Sequence, residues 1–172
     1  MGKVLGHIID YLIPPISAAE MMFAMVVGAM IRGILVGIIC ILTISFFVDI
    51  SFPHIGYAIF CIFFATMFLA LLGLACGIVA EGFDHMSAIT SYIITPLTFL
   101  SGTFYSTNSL PEFWRTVSHF NPFFYMIDGF RYGITGHNDG SITVGIFFMI
   151  SVNLVLGAVI YFALKKGYKI KN

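Results

Sequence analysis

The sequence predicts an all-α integral membrane protein: four transmembrane helices, with a short, external, re-entrant helical hairpin over one end of the bundle. Three observations lead there. Of 172 residues, 59% are hydrophobic and only 9% are charged, with a mean hydropathy of +1.01. A soluble domain carries about 25% charged residues, so composition alone places this chain in lipid. Four segments each hold the roughly 20 apolar residues that cross a bilayer core as helix. Residues 110–133, LPEFWRTVSHFNPFFYMIDGFRYG, are too polar to cross and too aromatic for an idle loop.

Residues 1–16 make a poor signal peptide, having one lysine and a short apolar run broken by Pro14 and Pro15. They fall within the segment 1–20, which reads as cytoplasmic. The first span, 21–48, is interrupted only by Arg32. A charge at bilayer centre costs at least about 2.5 kcal/mol. A crossing that begins near Ile31 would let Arg32 reach the interface, leaving residues 17–30 as an interfacial or obliquely entering helix. Further spans are expected at 55–80, 86–105 and 141–164, with a cytoplasmic tail at 165–172. The whole chain reads as one transmembrane domain. Cys40, Cys61 and Cys76 lie inside apolar runs without ligand spacing, so no metal or disulfide is expected.

Lys165, Lys166, Lys169 and Lys171 crowd the last eight positions. With Lys3 they place both termini in the cytoplasm under the positive-inside rule. Residues 49–54 hold no lysine or arginine, as an external loop should, and residues 81–85 form an acidic cytoplasmic turn with Glu81 and Asp84. Net charge is zero, which gives no sign of a nucleic-acid partner.

In the third span Ser87, Ser91, Thr95, Thr98 and Gly102 fall within an arc of about 80° at 100° per residue. Such a stripe should face other helices or a wet path, packing being the commoner use. Pro96 frees the carbonyl of Tyr92 and should kink the helix. Asn153, near the middle of the fourth span, should turn inward to bond a neighbouring helix. Gly33 with Gly37, and Gly73 with Gly77, are small-xxx-small pairs suited to close helix contact.

The hairpin occupies residues 106–135. Ser109-Leu110-Pro111-Glu112 has the form of a capping box with proline in the first turn. The helix it starts can run only to about Phe120, because Pro122 disfavours helical geometry at Asn121. A second helix follows over 123–132, with Asp128 and Arg131 spaced as an ion pair. Trp114, Tyr105, Tyr125 and Tyr132 suit the headgroup level. Each helix is roughly 15 Å long, half a bilayer. A hairpin dipping into the membrane with its backbone paired, and one lying flat on the surface, fit the pattern equally well. The dipping form suggests a gate, and hence transport.

These residues resemble a transport permease of the ABC type-2 family, the membrane subunit of bacterial ABC exporters. The resemblance is carried by LSGTFY (100–105), LP (110–111) and NPFFYMIDGFRYG (121–133), with DYLIPPIS (10–17) and MIRGILVG (30–37) upstream. It covers nearly the whole chain, and it implies the C-terminal two-thirds of a six-span permease that lacks the first two spans. It further implies a bacterial inner-membrane protein, paired with a second permease as a homodimer or mixed pair and in contact with lipid. A separate ATP-binding subunit would supply the energy and bind the ATP. Asp10, Pro14, Pro15, Ser17 and Glu20, helped by Glu81 and Asp84, would couple to that subunit. Ser109, Pro111, Glu112, Trp114, Asn121, Pro122, Asp128 and Arg131 would form the external gate. No Gly-x-x-x-x-Gly-Lys-[Ser/Thr] loop is present, so this chain is not expected to bind nucleotide itself or to be an enzyme.

Two rivals are weighed against transport. A membrane anchor or regulatory subunit would bind the same partner without moving cargo. An intramembrane hydrolase would need a serine and a base, but Phe99 stands where a Gly-x-Ser-Gly motif has its first glycine, and the fourth span has no histidine.

Overall fold

The computed structural model describes residues 17–48, 52–80, 82–103 and 111–166, and all the regular structure among them is helical. Helix α1 spans Ala18–Ser45, α2 spans Ile55–Val79 and α7 spans Ile142–Lys165. Between them lie α3 (Phe83–Ile89), a π-helical turn (Thr90–Ile94), α4 (Thr95–Phe99), α5 (Glu112–His119) and α6 (Pro122–Thr135). Helices α1, α2 and α7 have 28, 25 and 24 residues, and all three are long and apolar enough to cross a membrane.

Residues 83–99, expected to supply a continuous crossing at 86–105, differ. The helix starts three residues earlier, ends at Phe99 and widens into the π turn just before Pro96. Proline lacks an N–H and its ring crowds the carbonyl four residues back, which a wider turn relieves. The Thr95 N–H and hydroxyl both donate to the Thr90 carbonyl, five residues back, the hydroxyl at 2.9 Å. After α4 the chain turns through Gly102, whose φ of 79° lies in the left-handed region that glycine adopts without strain.

Helix α1 also departs from expectation. It runs unbroken through Arg32, with no change of element near Ile31. Its start is fixed by a capping box: the Ser17 N–H donates to the Glu20 carboxylate at 2.8 Å, and the Glu20 N–H donates to the Ser17 hydroxyl at 3.2 Å. Arg32 is exposed on its flank.

Helix α2 is the axis, packed against α1, α6 and α7. Two apolar cores lie along it. Val26, Met30, Leu71, Ile78, Ile160 and Leu164 fill one end, where α1 and α3 begin and α2 and α7 finish. Cys61, Phe68, Phe123, Phe124, Tyr125, Met126 and Met149 fill the other, beneath α6. Helices α2 and α7 therefore run in the same direction, and α1 runs opposite to both. The glycine pairs foreseen for close contact do not provide it: an added Cβ would meet nothing within 4 Å at Gly37, Gly73 or Gly77, and only the Thr66 methyl, at 3.4 Å, at Gly33.

Candidate functional site

The hairpin α5–α6 closes one end of the bundle. Its break is at Asn121, the N-cap of α6, whose side-chain oxygen accepts from the Phe123 N–H at 3.1 Å. Pro122 follows in the first turn, where its missing N–H costs nothing. Helix α5 begins later than expected. Pro111 is its N-cap instead of lying within its first turn, so Glu112 is the first helical residue; Ser109 lies outside the described residues, as do Asp10, Pro14, Pro15 and Glu81.

The hairpin packs on α7 through Tyr125 and Phe148, and two further seams, with α2 and with α4, hold it in place. Along the first, α6 lies against α2 through a glycine notch. A Cβ on Gly129 would sit 2.6 Å from the Cys61 sulfur, and one on Gly133 would sit 2.6 Å from the Ala58 Cβ and 2.9 Å from its Cα. The Gly133 carbonyl accepts from the His54 N–H at 3.3 Å, so the backbones themselves are bonded across the seam. His54 stacks on Tyr132 with ring centroids 4.5 Å apart, and Tyr57 meets Tyr132 edge-on at 5.6 Å. Tyr125 is buried, Tyr132 is half-buried and Trp114 is exposed, while Tyr105 lies outside the described residues.

Along the second seam, α5 and the α6 cap meet the end of α4. The Ser118 hydroxyl donates to the Leu100 carbonyl at 2.9 Å, and the Asn121 amide donates to the Leu97 carbonyl at 2.5 Å. Both acceptors are carbonyls left over where α4 stops, and the hairpin supplies the donors. Ser101 and Ser118 are fully buried there.

An ionic knot fastens the far end of α6. Asp128 is 5% exposed and accepts from Arg131 Nη2 at 2.8 Å and from the backbone N–H groups of Asp139 and Gly140 at 2.8 and 2.9 Å. The same Arg131 nitrogen reaches Asp139 Oδ2 at 3.0 Å. Burial disfavours the charged guanidinium, but the Asp128 and Asp139 carboxylates outweigh it and raise the arginine's pKa further above its already high value. Arg131 stays charged at any physiological pH. Gly136, with φ of 72°, ends α6 in a left-handed cap and turns the chain toward α7.

The polar stripe does not face this chain's own helices. Ser87, Ser91 and Thr95 are exposed and Thr98 is half-buried; Thr95 and Thr98 donate to Thr90 and Ile94 carbonyls of their own helix. The π turn spreads the stripe by adding a residue to one turn, and the α3–α4 run touches the bundle mainly near its two ends. Asn153, 1% exposed, does point inward: its amide donates to the Phe64 carbonyl of α2 at 3.3 Å and to Met149 at 2.9 Å. Glu20 and Ser17 cap α1, Asp84 is exposed in the first turn of α3, and no metal-ligand cluster occurs among the described residues.

Three long apolar helices and a two-helix cap thus make up the frame. Residues 8–135 match the family described as ABC-2 type transporter. The chain belongs to that family. It is 36% identical over 138 residues to the inner membrane transport permease YadH of Escherichia coli K12, covering 80% of this chain and 54% of that protein. It is 31% identical over 81 residues to nodulation protein J of Rhizobium leguminosarum bv. trifolii, covering 47% of this chain and 31% of that protein. The chain thus spans about half the length of YadH. No solved structure matches it. The matched residues include both hairpin helices, α2 and the π turn. The glycine notch of α6 lies within that stretch too. Gly129 and Gly133 are spaced four apart in the sequence, a signal that could single them out but that the glycine pairs of the long spans share.

Proposed function

We propose that this chain is the membrane subunit of an ATP-binding cassette exporter, forming part of the cargo path and coupling to a separate ATP-binding subunit. In this reading the α3–α4 run is a fourth crossing, α5–α6 is a re-entrant hairpin in the outer leaflet, and both termini are cytoplasmic. The supporting observation is the hairpin itself: a helical cap that seals one end of an apolar bundle through two seams of unlike construction. Family membership and the likeness to an inner membrane transport permease agree with it. The exposed serines of α3 and the π turn, together with the apolar flank of α1, would face a second permease or further spans. The opposite end, with Glu20 and Asp84, would meet the ATP-binding subunit.

The test is purification of the tagged chain from its own membranes, followed by measurement of ATP hydrolysis. An ATP-binding subunit should co-purify, and Asp84→Lys should reduce its recovery while leaving membrane insertion intact. Association whose ATP turnover never responds to this chain would support an anchor. Failure of any ATP-binding subunit to associate would overturn the proposal.

A further inference from the structure

The seams that tie the hairpin to α2 and to α4 are built differently, and we infer that only one of them opens: α6 and the hairpin end of α2 move as one body, while α4 parts from the α6 cap and α5 by bending at the π turn. The inference takes its purpose from the gate reading above, but the motion it describes exists or fails independently of any cargo.

The α2–α6 seam has no slack. Glycine at 129 and 133 lets the backbones approach until Ala58 and Cys61 fill the space a side chain would take. Close-packed surfaces of this kind shift as units instead of sliding continuously. The backbone bond from His54 to Gly133 and the stacked His54 and Tyr132 rings set the register at the end of the seam. Tyr57 adds a third tie, its hydroxyl reaching the notches at Gly129 and Gly145 and so linking α2 and α6 to α7.

The α4 seam is made otherwise. Ile94 and Leu97 lean on the core, but among the described residues it is side-chain donations, from Ser118 and Asn121 into carbonyls at a helix end, that bond across it. Water admitted as the seam parts can replace such donors, so these bonds hold it less firmly than interlocked backbones would. The helix behind it carries a π turn and Pro96, a combination that already lacks a regular hydrogen-bond ladder and bends there most easily. The molecule therefore has a stiff seam, a loose seam and a hinge on the loose side.

Double spin labelling of the full chain in lipid nanodiscs tests this, in a Cys40→Ala, Cys76→Ala background that keeps the buried Cys61 as a sentinel. Labels at Ile59→Cys and Thr135→Cys, both exposed, span the α2–α6 seam; labels at Thr103→Cys and Arg115→Cys, also exposed, span the α4 seam. The first pair should give one narrow distance distribution. The second should be broad or double, and Asn121→Ala or Ser118→Ala should shift it several ångströms longer without moving the first. Broadening of the first pair, labelling of Cys61, or a second pair that stays narrow and ignores both alanine variants would overturn the inference. A chain that changes its seam distances but never supports ATP turnover would count against the exporter reading alone.

Discussion

A methyl group on Gly133 would lie 2.6 Å from the Ala58 Cβ and 2.9 Å from its Cα, distances no packed pair tolerates. Because the obstacle is backbone and not a mobile side-chain tip, relief requires the helices to separate. Gly133→Ala should therefore destabilise the protein by about 1–3 kcal/mol, the usual cost of overpacking. Gly77→Ala makes the control, since its Cβ would meet nothing within 4 Å and alanine is the better helix former by roughly 0.5–1 kcal/mol. Thermal unfolding in detergent should move down for the first and level or up for the second. A similar contrast applies to Asp128. Its carboxylate holds Arg131 and two backbone N–H groups in a nearly water-free place. Asp128→Asn keeps the size but removes the charge and places a donor against donors, with Asp139 left as the arginine's acid. About 2–3 kcal/mol of lost stability is expected, below the 3–5 typical of a fully buried pair because Arg131 is partly solvated. Equal unfolding midpoints for Asp128→Asn and the parent chain would show that the knot is ornamental.

Among the elements, legibility followed the strength of local signals. The hairpin break was readable because Asn121-Pro122 combines a side-chain cap with a residue that cannot continue a helix, and the observed helices end and begin there. The long spans were readable from apolar length. The third span was legible only in part because hydropathy carries no information about hydrogen-bond spacing: Pro96 announced an irregularity, but a π turn spread over Thr90–Ile94 depends on how the whole run resolves the proline clash. The glycine notch was missed for a related reason. Small-xxx-small spacing marks candidates on any helix, and which pair is used depends on the partner's small residues, here Ala58 and Cys61, far away in sequence. Asn153 was legible as an inward residue because a polar amide in an apolar helix has few alternatives. It joins α7 to α2 through a single bond to the Phe64 carbonyl, with its own side-chain oxygen buried and without a partner. Replacing it by leucine removes both the bond and the orphan. Asn153→Leu should therefore change stability by less than about 1 kcal/mol, in line with helix–helix bonds in membranes. Asn153→Asp, which places a charge in the same apolar site, should cost distinctly more. Denaturant titration of both variants checks the ranking, and a leucine variant as unstable as the aspartate would mean the amide contributes more than one bond.

At the scale of the whole molecule, parallel α2 and α7 with α1 running opposite fix which ends lie together, and the further choice is which end faces the cytoplasm. Asp84 stands at the end shared by the starts of α1 and α3, and His137, its side chain 73% exposed, stands at the hairpin end. The proposed orientation rests on charge: Lys165 and Lys166 lie at the Asp84 end, whereas Arg115 and Arg131 lie at the hairpin end. Arg131 is neutralised by two carboxylates, and Glu112 stands three residues before Arg115, so the hairpin end carries little net positive charge to hold it inside. The lysines at the end of α7 have no acid within the last turn, and retention of cationic loops in the cytoplasm therefore favours that end. In a background without Cys40 and Cys76, His137→Cys should react with a membrane-impermeant maleimide in intact cells, and Asp84→Cys only after the membrane is opened. Reaction of Asp84→Cys from outside would invert the orientation. It would also move the glycine-notched hairpin to the cytoplasmic side, where a cap sealing the outer end of a cargo path has no place.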